Sequence, residues 1–384
     1  MERVEGSIGF YSRVRSVNCF SGILVTLLLV SCVRHEAGKV EQEVCFPRKE
    51  IEVKYAKGFR VESTADYTKI ITCSFSENDN FQDSVYLLHR HKKLPGGAKV
   101  ISPDADNFAC QSSTHLAYID ELGALDLVMG LCGLMYISDP EVKKILESNG
   151  TQELCAGEQV NMEELLKVSP DLFFIYPFGK TYERKFAEHG VKTLLIAEYL
   201  EESQLARLEW IKLFGLLLGK ADEANAYFEQ VEHEYNSLKM PEQDTNKRFI
   251  MNVPFGDTWF MPSSRSVGVR LIEDAGLCYF YSDEAGTENI SRAKEVVWSD
   301  GIEANYWIII AERPAGFSLD DLIAEEPVYK EFKSVIHQQV LFCNTAEVDY
   351  FAKGVVEPNI ILKDLLYLTH QISEHQPKYF VRLE

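Results

Sequence analysis

Two patterns of apolar and polar residues meet near residue 95. Before it, the stretches 52–61 and 67–72 alternate polar positions with β-branched or aromatic ones, as in Glu52-Val53-Lys54-Tyr55. That period of two predicts antiparallel strands, with a third over residues 84–90. After Pro95-Gly96-Gly97, short continuous apolar runs alternate with stretches of helical spacing. The runs at 99–102, 127–131, 172–176 and 193–197 predict strands covered on both faces, which have no polar side to display. Leu172-Phe173-Phe174-Ile175-Tyr176 is the clearest of them. Residues 114–123, 140–148, 162–168 and 182–189 predict the intervening helices, giving an α/β lobe on a parallel sheet.

A longer pattern follows. From Leu205, Leu208 and Ile211 to Phe228, Val231 and Tyr235, apolar residues recur three and four apart, which predicts one long helix over 202–239. A bend is expected near Gly215 or Gly219, and Pro241 closes it. The α/β alternation then restarts. Strands are expected at 249–253, 279–281, 307–310 and 340–342, with helices at 267–275, 292–298, 319–323 and 329–334 between them, and a last helix at 357–371. The fold class read from pattern alone is therefore α/β. Two Rossmann-like lobes with parallel sheets are joined by one long helix, and an N-terminal antiparallel β region precedes them. The expected divisions are a signal peptide at 1–31, a lipid-anchored tether at 32–49, the β region at 50–95 and the first lobe at 96–201. The connecting helix at 202–239, the second lobe at 240–355 and a C-terminal helix and tail at 356–384 complete the chain.

The first residues read as an address. Arg3, Arg13 and Arg15 precede the apolar run from Gly22 to Val30, and Ser31-Cys32 follows. Nine helical residues rise only about 13–14 Å, short of a bilayer core of roughly 30 Å. A basic segment, a short apolar core and a small residue make a secretory signal. Leu29-Val30-Ser31-Cys32 resembles a bacterial lipobox, which implies lipidation of Cys32, an anchor in the membrane and a periplasmic location.

Composition narrows the function. The 384 residues are 46% apolar and 26% charged, an ordinary globular balance. Lys+Arg is 39 against 59 Asp+Glu, a net charge of -20. No basic stripe offers itself to phosphates, which argues against nucleic acid. Of nine cysteines, Cys45, Cys73, Cys110, Cys132, Cys155, Cys278 and Cys343 lie beyond Cys32. None forms a C-x-x-C, so zinc spacing is missing. One or two disulfides fit an exported protein, and the sequence does not pair them. No P-loop, G-x-S-x-G or H-E-x-x-H is present, which leaves an exported hydrolase a remote alternative.

Three stretches taken in order carry a resemblance: Ser112-Ser113-Thr114-His115-Leu116-Ala117, Asn161-Met162-Glu163-Glu164-Leu165-Leu166, and Glu209-Trp210-Ile211-Lys212-Leu213-Phe214-Gly215. A fourth, Gly256-Asp257-Thr258-Trp259-Phe260-Met261, leads to Leu271-Ile272-Glu273-Asp274-Ala275-Gly276. The succession resembles the helical-backbone substrate-binding lipoproteins of ABC importers, over roughly residues 95–370. That family carries ferric siderophores, haem or cobalamin. The resemblance implies a monomer that holds a small-molecule metal complex between two lobes and has no enzymatic turnover or cofactor of its own. It also implies delivery to an ABC permease with a cytoplasmic ATPase, with Glu163 and Glu273 as the docking carboxylates. The β region at 50–92 lies outside the family pattern.

Open α/β sheets place ligands at the carboxyl ends of their strands. The candidate ligand-binding residues are accordingly Ser113, Thr114, Tyr136, Tyr176 and Phe178 on the first lobe. On the second they are Trp259, Phe260, Arg265, Arg313 and Tyr350. Aromatic rings suit a flat macrocycle or catechols, and arginines suit an anionic complex. Ser113-Thr114 equally reads as a helix N-cap. His115 or a cleft tyrosine is a candidate axial ligand should the cargo be haem. His89 and His91 share a strand face without a third ligand, so no metal site is expected.

Overall fold

The computed structural model describes residues 45–384, apart from 75–81, 91–92, 158, 177–179 and 287–288, and of residues 180–183 the backbone alone. The expected signal peptide, Cys32 and most of the tether lie outside the described residues, as do Phe178 and His91. Among the described residues no helix is long and apolar enough to cross a membrane.

The N-terminal sheet has the order β1 (Phe59–Ser63), β2 (Tyr67–Cys73), β3 (Gln82–Leu88), β4 (Lys99–Ile101). The first three pair antiparallel, and β4 joins β3 in parallel. The run at 99–102 is thus a strand, but of this sheet and not of the first lobe. Residues 52–58, expected within a strand, belong to none, although the Gly58 carbonyl accepts from the Cys73 amide of β2 at 2.8 Å. Their amides go to two buried carboxylates instead. Lys54, Tyr55 and Ala56 donate to Glu209 at 2.8, 2.7 and 2.9 Å, and Lys57 and Gly58 donate to Glu201 at 3.0 and 2.9 Å. The Lys212 ammonium joins Glu209 at 2.9 Å and the Glu52 carbonyl at 2.8 Å, and the Trp210 indole donates to Glu201 at 3.0 Å. Buried charge is tolerated because each oxygen is bonded.

The first lobe runs β5 (Phe108–Cys110), α1 (Ser113–Glu121), β6 (Val128–Leu131), α2 (Pro140–Asn149), β7 (Gln152–Glu153). The small hairpin of β8 (Cys155–Ala156) and β9 (Gln159–Val160) follows, then α3 (Met162–Val168), β10 (Leu172–Ile175), α4 (Lys180–Glu188) and β11 (Thr193–Leu195). The sheet order is β11-β10-β5-β6-β7, parallel throughout. Every residue of β5 and β10 is buried, as a doubly covered strand requires. Ser112, Asp139 and Asn161 cap α1, α2 and α3 with their side chains. A disulfide pairs Cys132 with Cys155, while Cys73, Cys110, Cys278 and Cys343 are free thiols. The N-terminal sheet docks on the edge of this lobe. Asp83 accepts from the Leu195 amide at 3.2 Å and pairs with Lys99, whose ammonium also donates to the Thr193 carbonyl at 2.8 Å.

The connector expected as one helix is divided into α5 (Gln204–Glu209), α6 (Ile211–Leu217) and α7 (Ala221–Leu238). Gly219 sits at φ +69°, the left-handed geometry that ends α6. At Gly215 a Cβ would fall 2.4 Å from the Ala224 Cβ, so α7 folds back against α6 only because that side chain is absent. Three-and-four spacing continues across both breaks because α7 buries one face, through Ala224, Phe228, Val231 and Tyr235, while α6 is buried all round.

The second lobe begins with β12 (Asp244–Met251), β13 (Pro254–Phe255), β14 (Thr258–Pro262), α8 (Val267–Asp274) and β15 (Leu277–Tyr279). It continues with β16 (Asn289–Ala293), α9 (Lys294–Gly301), β17 (Tyr306–Ala311), α10 (Leu319–Glu325), α11 (Lys333–Ile336) and β18 (Val340–Asn344). The helices α12 (Lys353–Val356) and α13 (Pro358–Leu368) and the strand β19 (Val381–Arg382) finish the chain. The main sheet is ordered β15-β12-β17-β18-β19, parallel except for β19, and β13-β14-β16 form a small antiparallel sheet. The fold is α/β with a parallel sheet at the heart of each lobe.

Candidate functional site

The carboxyl ends of β12 and β17 open onto a cavity of about 200 Å³. Met251, Asn252 and Ile310 form its floor, Ser266, Val267 and Gly268 at the start of α8 one wall, and Tyr350, Phe351, Gly354 and Val355 another. Gln204 and Arg207 of α5 close it on the connector side. Asn252 stands at φ +63° and donates to the Phe260 carbonyl at 3.0 Å, which turns the chain away from the floor.

Arg207 is the electrostatic centre. No described residue forms a side-chain ion pair with it, and its Nε is buried without a hydrogen-bond partner among the described residues. Its charge pulls down the pKa of Tyr118, Tyr176 and Glu198 on the first lobe and of Tyr350 on the second, in each case against a larger upward push from burial. Its backbone carbonyl accepts from the Tyr118 hydroxyl of the first lobe at 2.6 Å, and Arg207 lines the cavity together with Tyr350 of the second. Around it, a cationic, aromatic and partly amide-lined pocket suits an anionic ligand with flat apolar surface.

The first lobe contributes a buried polar layer. Thr114 Oγ1 donates to Glu198 at 2.7 Å, and the Tyr176 hydroxyl is hydrogen-bonded to Ser112, whose side chain caps α1. The N-cap expected at Ser113-Thr114 is thus Ser112. Glu198 is fully buried, and desolvation raises its carboxyl pKa. His115 lies 4.0 Å from it, also fully buried, its pKa pushed down to about 3 by the same cause. The ring packs on Tyr176 and Phe214 at 5.2 and 6.5 Å. It is core, not an axial ligand in waiting. His89 is bonded to Thr68 and the Phe46 carbonyl, both at 2.9 Å. Among the described residues no three His, Cys, Asp or Glu side chains converge on a metal position.

Several expected cleft residues lie elsewhere. Trp259 is fully buried, its indole donates to the Met251 carbonyl at 2.8 Å, and it packs on Trp307 at 5.8 Å. Strand alternation puts Trp259 inward and its neighbour Phe260 outward, 44% exposed. Arg313 is held by Glu325 at 3.1 and 3.2 Å and by the Glu312 carbonyl at 3.0 Å, so its charge is already matched. Arg265 is exposed, and Tyr136 is 77% exposed on a turn past the end of β6. Ser113 is partly buried beside Asp139 and Asp349 in a smaller cavity. Tyr350 lines the cavity at the ends of β12 and β17. Glu163 is exposed and pairs with Lys167 at 3.0 Å. Glu273, expected to face solvent, is half-buried, which raises its pKa, with Arg270 opposing. Gln204, Arg207, Asn252 and Phe351 were not anticipated. On an amphipathic helix Arg207 reads as an ordinary polar-face residue, and only the second lobe supplies its setting.

A profile described as periplasmic binding protein matches residues 114–346. The chain belongs to the periplasmic binding protein family. An uncharacterized lipoprotein of Methanocaldococcus jannaschii is 25% identical over 292 residues, which cover 73% of this chain and 68% of the relative. Among solved structures, a periplasmic binding protein from Veillonella parvula superposes with a TM-score of 0.60 at 14% identity, covering 80% of this chain and 99% of that one. A periplasmic heme binding protein from Pseudomonas aeruginosa gives 0.55 at 12% identity, with coverages of 73% and 98%. At those identities the structures share the fold. In this periplasmic binding protein the candidate cavity lies between the second lobe and the connector. The family is one of periplasmic binding proteins, which associates the chain with the cell envelope. The N-terminal sheet and the clamped segment precede the matched region.

Proposed function

We propose that this periplasmic binding protein captures an anionic metal chelate, a ferric siderophore or related iron complex, between its lobes. It then delivers the chelate to an ABC permease driven by a cytoplasmic ATPase. The observation that carries the reading is Arg207, a guanidinium with no ion-pair partner among the described residues, at the lining of the cavity. Two flat rings, Tyr350 and Phe351, flank it. A second reading, haem or a corrinoid, draws on the aromatic rings at the cavity, Tyr350 and the 61% exposed Phe351. In either case Cys32 carries the lipid, and Glu163 and Glu273 guide docking on the permease. Charges at such a surface set encounter and orientation and weaken with salt.

The test is a titration of soluble protein lacking Cys32 with a ferric tris-catecholate complex, haemin and cyanocobalamin, followed by visible absorption. The catecholate complex is expected to bind more tightly than about 10 μM, near -7 kcal/mol. Failure of all three would remove the reading, and preference for haemin or cyanocobalamin would select the second. In reconstituted uptake, Glu163→Arg with Glu273→Arg is expected to abolish transport and leave this affinity intact. Full transport would refute the docking assignment.

A further inference from the structure

Among the described residues, one ion pair joins the two lobes directly. The Lys353 ammonium, at the start of α12 in the second lobe, lies 3.0 Å from Asp120 and 3.0 Å from Glu121 at the end of α1 in the first. All three side chains are largely shielded, with 28%, 25% and 19% of their surfaces exposed. The two carboxylates act together to raise the Lys353 pKa against the desolvation that lowers it. Such a pair is screened less by salt than a surface one.

One of the two partner helices, α12, also carries the site. Gly354 and Val355 of α12, with the preceding Phe351, line its cavity. The other, α1, holds Thr114 against the buried Glu198 in its first turn and shares a smaller cavity with Lys353 through Ser113 and Asp120. The far end of α12 is fixed as well, because the Tyr227 hydroxyl of α7 donates to the Val356 carbonyl at 2.9 Å. A four-residue helix is thus tied to the opposite lobe at its first residue and to the connector at its last, with cavity wall between.

We propose that Lys353, Asp120 and Glu121 form an interlobe latch that sets how far the cavity opens and how fast its ligand leaves. The proposal rests on the cavity being the ligand site only for its second half. Opening in the unliganded protein is independent of any ligand. The ammonium bridges two carboxylates of one lobe, so separation of the lobes leaves three shielded charges unmatched at once. Closure returns the cavity wall, including Phe351, to its place.

The test has two arms and two variants. Lys353→Met keeps the stem and removes the charge, while Asp120→Asn with Glu121→Gln removes the other side. In the unliganded protein, hydrogen–deuterium exchange is expected to rise in α12 and in the second half of α1 for both variants, and Lys353→Arg is expected to restore protection. In stopped-flow release of ferric tris-catecholate, the same variants are expected to speed dissociation roughly three- to tenfold, the range for a shielded ion pair. Unchanged exchange in both variants overturns the latch. Raised exchange with unchanged release keeps the latch in the free protein and overturns its control of the ligand. If the catecholate complex does not bind at all, the ligand reading has failed, and the exchange arm alone decides the latch. A Lys353→Met variant that does not fold leaves the carboxamide pair to decide by the same readouts.

Discussion

The strand ends of the second lobe and the corner where α5 meets α12 both carry residues suited to hold a ligand, but they use them differently. At the strand ends, Trp259 is sealed in an aromatic cluster with Trp307 and Tyr329, and Arg313 is matched by Glu325. At the corner, Arg207 lacks an ion-pair partner among the described residues, and Phe351 stays 61% exposed. The same residue types serve the core in one place and are left available in the other. What separates them is whether the fold supplies a partner first. A buried ring already has its contacts, and an arginine with a carboxylate at 3.1 Å has little charge to lend.

Substitutions can break that contrast. Trp259→Ala should have the largest effect, and on stability: loss of a fully buried indole costs about 3–5 kcal/mol. Chemical denaturation should show it, while affinity per folded molecule should change little. A ligand-specific loss at unchanged stability would move Trp259 to the corner's class. Arg207→Gln should weaken ferric tris-catecholate binding by about 10- to 100-fold, as expected for a charge-assisted contact. Equilibrium titration checks this, and an unchanged affinity would remove Arg207 from the site.

His115 sharpens the same contrast on the first lobe, since the core holds it neutral. Its folded pKa is near 3, below the ordinary value of 6.5, so between those limits the unfolded chain binds the extra proton. Stability should therefore fall as pH drops from about 6.5, by up to about 1.4 kcal/mol per pH unit from this group. Glu198 and Glu201, whose pKa values burial raises, act in the opposite sense near their own titration. His115→Gln should flatten the acid limb of a stability–pH curve, and an unchanged slope would show that another group governs it. The smallest effect is expected for Arg313→Gln, less than about twofold on affinity, because only a partly exposed ion pair is lost.

These cases also show where a one-dimensional reading reaches its limit. Leu172–Ile175 announces itself because four apolar residues in a row leave no polar face. Phe108–Cys110, at the centre of the same sheet, is three residues long beside an acidic loop, too short for any period to register. Alternation at 52–58 suggested a strand, yet the partners for those amides are carboxylates about 145 to 155 residues away in sequence. The helical spacing through 202–239 is real, but Gly219 and the close approach at Gly215 turn one expected helix into a folded-back set. For the site, strand-end logic located the cavity wall at Tyr350. It could not find Arg207, whose role depends on a lobe that begins tens of residues later.

The amides of residues 54–58 bear on where the folded unit starts. A protein shortened to begin at Phe59 would retain every helix and strand described, and by secondary structure alone would look complete. It would nevertheless strip Glu201 and Glu209 of five donors and leave Lys212 without the Glu52 carbonyl. Leaving buried charge unmatched costs about 3–5 kcal/mol, a large share of what holds a domain together. The stretch without secondary structure is therefore as much a part of the minimal protein as the sheets. Its carboxylate-bound amides, and not the first strand, mark the true edge for anyone cutting the chain.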